Sequence, residues 1–140
     1  MTTGVKSFDR TVQQTNEWLH ELMEELHYEN QEKVYIALRA VLHAIRDRLS
    51  PEEAVQLAAQ MPMLVRGFYY EGWTPKGKPV KIRHLDEFLE QIQKNTPGEQ
   101  IDTDRVARAV FKTLVHRISA GELKDVKSMF PEKLNTLWPD

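Results

Sequence analysis

The sequence predicts an all-α fold, and three observations predict it. Apolar residues recur every three to four positions, capping residues and prolines divide those runs, and no segment of comparable strength alternates apolar and polar residues as a half-buried strand does. In chain order the first stripe is Trp18, Leu19, Leu22, Met23 and Leu26, and the second is Val34, Leu38, Val41, Leu42, Ile45 and Leu49. Ser50-Pro51-Glu52-Glu53 then reads as a helix start. Ser50 is expected as the N-cap, Pro51 at the first position, and Glu53 closing a capping box on Ser50. The helix that follows carries Ala54, Leu57, Ala58 and Met61 on one face, and Pro62 ends it and opens the next. Leu85, Phe88, Leu89 and Ile92 make a third stripe, after which Asn95-Thr96-Pro97-Gly98 breaks the chain. Asp102 is expected to cap a fourth helix on Val106, Val110, Phe111, Leu114 and Ile118. Ser119-Ala120-Gly121-Glu122 repeats the Ser-x-x-Glu pattern ahead of Leu123, Val126 and Phe130, and Pro131 stands where Pro62 stood.

The correspondence between Pro62 and Pro131 is part of a longer one. Displaced by 69 residues, Arg39-Ala40-Val41 lies over Arg108-Ala109-Val110, Arg48 over Arg117, Ser50 over Ser119 and Glu53 over Glu122. Leu19 and Met23 fall over Phe88 and Ile92, and Trp138 over Tyr69, where it is expected to pack rather than bind. Because caps, proline and core stripe coincide, the chain reads as two tandem helical repeats, about 9–73 and about 84–138, joined by a loop at 74–83. Neither unit is expected to bury its stripes alone, so the two are expected to pack pseudo-symmetrically into a single domain over 1–140.

Composition narrows the function classes. The chain has 140 residues, 19 Lys plus Arg against 21 Asp plus Glu, a net charge of −2 and no cysteine. A length of this order buries roughly two-thirds of the unfolded surface without a metal or disulfide staple. Near-neutral charge excludes a global basic field for nucleic acid, and zero Cys excludes disulfide scaffolds, zinc ribbons and thiol catalysis. No run approaches the roughly 18 apolar residues of a membrane span. Met1 to Lys6 also lacks the apolar core of a signal peptide. A cytoplasmic protein without membrane association or cofactor is the expectation.

The repeat leaves one segment unexplained. Arg66-Gly67-Phe68-Tyr69-Tyr70-Glu71-Gly72-Trp73 is dense in rings, and the loop after it carries Lys76, Lys78, Lys81 and Arg83. Rings beside cations suit a protein partner or an anionic ligand. The competing reading is that the rings plug the junction between the two units. The leading expectation is an interaction protein that holds an unidentified partner or its own twin through Arg66, Tyr69, Tyr70, Glu71, Trp73, Lys76 and Lys78. The alternative is an anionic-ligand or nucleic-acid binder using Lys76, Lys78, Lys81 and Arg83, with nucleic acid the weaker option.

Other polar groups invite chemistry at helical spacing. His20, Glu24 and His27 share a face, so a metal-dependent enzyme is a second alternative, although metal sites in bundles draw ligands from several helices and no metal ligand is assigned. His43 and Asp47 stand one turn apart among Arg39, Arg46 and Arg48. Arg39, His43, Arg46 and Asp47 are expected to form a structural polar cluster beside Arg66 and Glu71. No phosphate loop, nucleophile elbow or His-Glu-x-x-His motif occurs, and no catalytic residue is assigned.

Ile45-Arg46-Asp47-Arg48 and the run from Arg66 to Trp73 are the parts by which the chain resembles a bacterial family, domain of unknown function 2267. The resemblance extends from about Trp18 to Pro131. It implies a helical fold and a prokaryotic origin, and it carries no activity to transfer.

Overall fold

The computed structural model describes residues 2–139, in which helices are the only regular elements. They are α1 (Lys6–Leu26), α2 (Gln31–Asp47), α3 (Pro51–Ala58), α4 (Met63–Tyr70), α5 (Leu85–Lys94), α6 (Thr103–Arg117) and α7 (Ala120–Met129), with a closing 3-10 helix at Glu132–Leu137.

Caps set most of the joints. Ser50 Oγ accepts from Glu53 N–H at 3.2 Å, Ser119 Oγ from Glu122 N–H at 3.2 Å, and Asp102 Oδ1 from Arg105 N–H at 3.2 Å. Asn30 caps α2 by accepting from both Glu32 and Lys33. His27 closes α1 in the left-handed region at φ 56°, and the Arg105 guanidinium reaches back to the Leu26 carbonyl. The capping box expected at Glu53 does not close. Its backbone N–H meets Ser50, while one oxygen of its buried carboxyl finds no hydrogen-bond partner. The prolines also sit one place earlier than a first-turn proline, with Pro62 and Pro131 at the N-cap positions of the helices they open.

α2 is the central element, buried along most of its length and packed against α1, α4, α5 and α6. The contact between the two halves of the chain is made by α1 against α6, α2 against α5 and α6, and α3 against α7. One contiguous apolar cluster runs from Trp18 to Trp138. At its second-half end Phe88, Phe111, Phe130 and Trp138 interlock, with Phe111 and Trp138 centroids 4.5 Å apart. Trp138 is buried there, its indole N–H on Asn135 Oδ1 at 3.1 Å. The starts of α3 and α7, and of α4 and the 3-10 helix, are each 69 residues apart.

Candidate functional site

α4 is a helix of 8 residues, too short to hold itself together, and its neighbours hold both of its ends. Pro62 has no side-chain oxygen to cap it, so Thr11 of α1 does so, its hydroxyl accepting from Leu64 N–H at 2.8 Å. At the other end α2 satisfies the carbonyls that every helix C-terminus leaves unpaired. His43 Nε2 lies 2.7 Å from Phe68 O, and since a carbonyl only accepts, Nε2 carries the proton. Arg46 Nη1 donates to Tyr69 O and, at 2.7 Å, to Glu71 O. Arg46 Nε pairs with Asp47 at 3.1 Å, and Arg39 Nε reaches Glu71 Oε1 at 3.2 Å.

Arg39, His43, Arg46 and Asp47 thus meet at the end of α4. Arg66 does not join them. It points the other way, donating to Ala58 O at 3.0 Å and Met61 O at 2.9 Å, where it finishes α3.

Burial holds the His43 pKa below its ordinary value, with Arg46 and Arg39 adding to the effect and the bond to Phe68 opposing it. The folded chain therefore resists the proton that unfolded His43 accepts. The stability His43 contributes is complete above pH 6.5 and is lost as the pH falls toward its folded value. His43→Gln is expected to flatten this acid limb in urea melts between pH 7 and 5. An unchanged slope would remove the assignment.

The aromatic run does not form one exposed patch. Tyr69 is completely buried, with its hydroxyl donating to Ala54 O at 2.8 Å, and burial drives its pKa far above the ordinary phenol value. Phe68 is buried edge-on to Tyr35. Tyr70 and Trp73 are half-buried against the core with centroids 5.7 Å apart, leaving Glu71 exposed between them. Tyr69 therefore offers nothing to a partner. The connecting loop runs from Glu71 to His84 and is tied to α2 by Val80 N–H on Asp47 O (2.8 Å) and Arg48 Nε on Ile82 O (2.7 Å). Lys76, Lys81 and Arg83 are exposed along it and Lys78 is half-buried.

His20, Glu24 and His27 lie exposed on α1, and the left-handed turn at His27 takes it off the helical face. Among the described residues, the group of three whose ligating atoms converge is another one, Glu53, Glu122 and Asp125, at the contact of α3 with α7.

Where α4 lies across the first half of α1, an open apolar groove of about 790 Å³ remains. Phe8, Val12 and Leu19 of α1, Met63 and Leu64 of α4, and Tyr35 of α2 line it. Four of these, Phe8 (50 % exposed), Val12, Met63 and Leu64, belong to the chain's short set of exposed large apolar side chains. Single exposed apolar residues need no explanation, but four lining one concavity do. The wall also contains Gly67, in the middle of α4, where an added Cβ would meet nothing within 4 Å. A glycine inside a helix costs about 0.5–1 kcal/mol relative to alanine, and no contact among the described residues requires it here.

Sequence reasoning started the first stripe at Trp18 and missed this groove. The signal was Phe8, Val12 and Leu19 at i, i+4 and i+11, interrupted by Thr11 and Thr15, which read as polar but are buried.

Residues 15–137 match the family described as Uncharacterized conserved protein (DUF2267). No curated protein matches the chain.

Proposed function

The chain belongs to the DUF2267 family of uncharacterised conserved proteins, and from that premise we propose that it is a helical interaction protein whose α1–α4 groove receives an apolar protein segment. The observation that carries this reading is Gly67 in the groove wall: a helix interior left without a side chain, facing open space, between Leu64 and Phe68. A partner's side chains would occupy the room that a larger residue would fill. The groove is lined mainly by apolar side chains, with Thr11, Thr15, Asn16 and Glu71 also in its wall, so an amphipathic helix with apolar anchors and a polar outer face is the matching chemistry. The proposed interaction surface is thereby the α1–α4 groove in place of Tyr69 and Trp73, with Glu71 shared by both.

Gly67→Leu separates binding from folding. The leucine raises helix propensity by about 0.5–1 kcal/mol and projects into the groove. The variant is expected to melt no lower than wild type and to lose the proteins that cross-link to wild type in extracts of the source organism. Leu64→Asp should lose the same set. If both variants keep the wild-type set, or if the set survives in Gly67→Leu alone, the groove is not the docking site. Sedimentation of wild type and Gly67→Leu tests self-association through the same surface, expected as a dimer lost in the variant if the partner is a second copy.

A prokaryotic origin and a cytoplasmic setting belong to the same proposal, supported by the family resemblance and by the absence of cysteine. No helix of the described residues is long and apolar enough to cross a membrane. The reading of two tandem repeats is supported by the shared 69-residue offset and by the meeting of Glu53 with Glu122, which that offset pairs.

A further inference from the structure

The contact between α3 and α7 contains an arrangement that the groove does not use. Glu53 and Glu122 are the third residues of their helices, each following a capping serine. Each is placed to reach back to its own N-cap N–H, and each turns inward instead. Glu53 is 7 % exposed and Glu122 8 %. One oxygen of each is sealed from solvent and has no hydrogen-bond partner. Asp125, one turn along α7 from Glu122 and exposed, brings a third carboxylate to the same point, and one oxygen from each of the three lies within 4.8 Å of the others.

Among the described ion pairs, none reaches any of the three. Three carboxyl groups, two of them buried, thus meet with no cationic side chain in pairing distance among the described residues. Buried charge of this kind is paired, protonated or metal-bound.

We propose that Glu53, Glu122 and Asp125 form a site for a hard divalent cation, of the calcium, magnesium or manganese class, that joins α3 to α7. An all-oxygen carboxylate set is the donor chemistry those ions prefer. Two ligands of one calcium ion, each at about 2.4 Å, stand at most about 4.8 Å apart, and the three oxygens all lie within that distance of one another. Asp125 supplies the solvent-facing ligand and the route of entry, and water completes the shell. One ligand comes from each Ser-x-x-Glu start, so the ion ties the first half of the chain to the second.

A proton competes with the cation for carboxylate oxygens, so binding is expected to strengthen as the pH rises.

The test is a thermal melt of the full, untagged chain at pH 8, freed of metal with chelator and then given Ca²⁺, Mg²⁺ or Mn²⁺ at millimolar concentration. At least one ion is expected to raise the melting temperature by about 5 °C, with a smaller rise at pH 5.5. Asp125→Asn, an exposed substitution that leaves the fold intact, and Glu122→Gln are each expected to abolish most of that rise. No rise with any of the three ions overturns the site, as does an equal rise in wild type and Asp125→Asn. Calorimetric titration of the effective ion should show one site per chain, and binding that persists in Asp125→Asn overturns the assignment. The readouts do not involve the groove, and Gly67→Leu should retain the full rise.

Discussion

Arg46→Met is expected to lower the stability of the folded chain by about 3 kcal/mol, a fall in melting temperature of about 10 °C for a domain of this size. Arg46 is 5 % exposed, and its guanidinium satisfies two backbone carbonyls, Tyr69 O and Glu71 O, besides pairing with Asp47. Replacing a buried ion pair with apolar residues of similar volume is often nearly neutral, because both partners can be replaced together. Here the partners are main-chain groups at the end of α4, and no substitution removes them. Methionine fills the volume and leaves two acceptors unpaired, so the desolvation loss wins over the packing gain. Arg39→Met is the control. Its ion pair with Glu71 is open to solvent on both sides, so a change below about 1 kcal/mol is expected. Equal effects of the two substitutions in denaturant melts would mean that Arg46 acts as a surface charge and not as the clamp on α4.

Glu122→Gln is expected to stabilise the metal-free protein in alkali, the reverse of what most substitutions at a buried residue do. The Glu122 carboxyl, ordinarily titrating at 4.5, is raised to about 8 by burial and by Glu53. A raised folded value means that the native chain holds a proton the unfolded chain gives up. The pair's stability is complete below pH 4.5 and is lost as the pH rises through about 8. A loss of about 2 kcal/mol is expected once the pair is fully ionised. A glutamine amide donates to Glu53 at every pH and takes the proton's place. In chelator at pH 8.5 the variant should exceed wild type by about 2 kcal/mol, and at pH 5 the two should agree within about 0.5 kcal/mol. A variant less stable than wild type at both pH values would show that the carboxyls do not share a proton.

The two limbs oppose each other. His43 withdraws stability as the pH falls below 6.5, and Glu122 withdraws it as the pH rises from 4.5 through about 8, so the two dependences offset each other where they overlap.

Local pattern carried much of the architecture. The helical period of Val34 to Leu49 and of Val106 to Ile118 marks α2 and α6 because side-chain direction along a helix depends on position in the chain alone. Ser50, Ser119 and Asp102 mark helix starts for a similar reason, since a capping oxygen bonds to an N–H two or three residues away. The polar residues His43, Arg46 and Asp47 stood out because an imidazole and a carboxylate one turn apart among arginines read as a paired cluster.

What those partners are was settled only when distant segments met. Arg46 serves carbonyls 23 and 25 residues away, and Thr11 caps a helix that begins more than fifty residues later. Glu53 illustrates the limit most directly. By local rule it closes a capping box on Ser50, and the 69-residue offset set it over Glu122 without showing that the two touch. Packing of α3 on α7 buries both carboxyls and turns a routine cap into an unbalanced pair. Gly67 and Tyr69 likewise stand two residues apart on α4, one facing an open groove and the other sealed in the core. Periodicity and capping are short-range and readable in order along the chain. Burial, orphaned carboxylates and grooves depend on which helix faces which, and that is a property of the assembled fold.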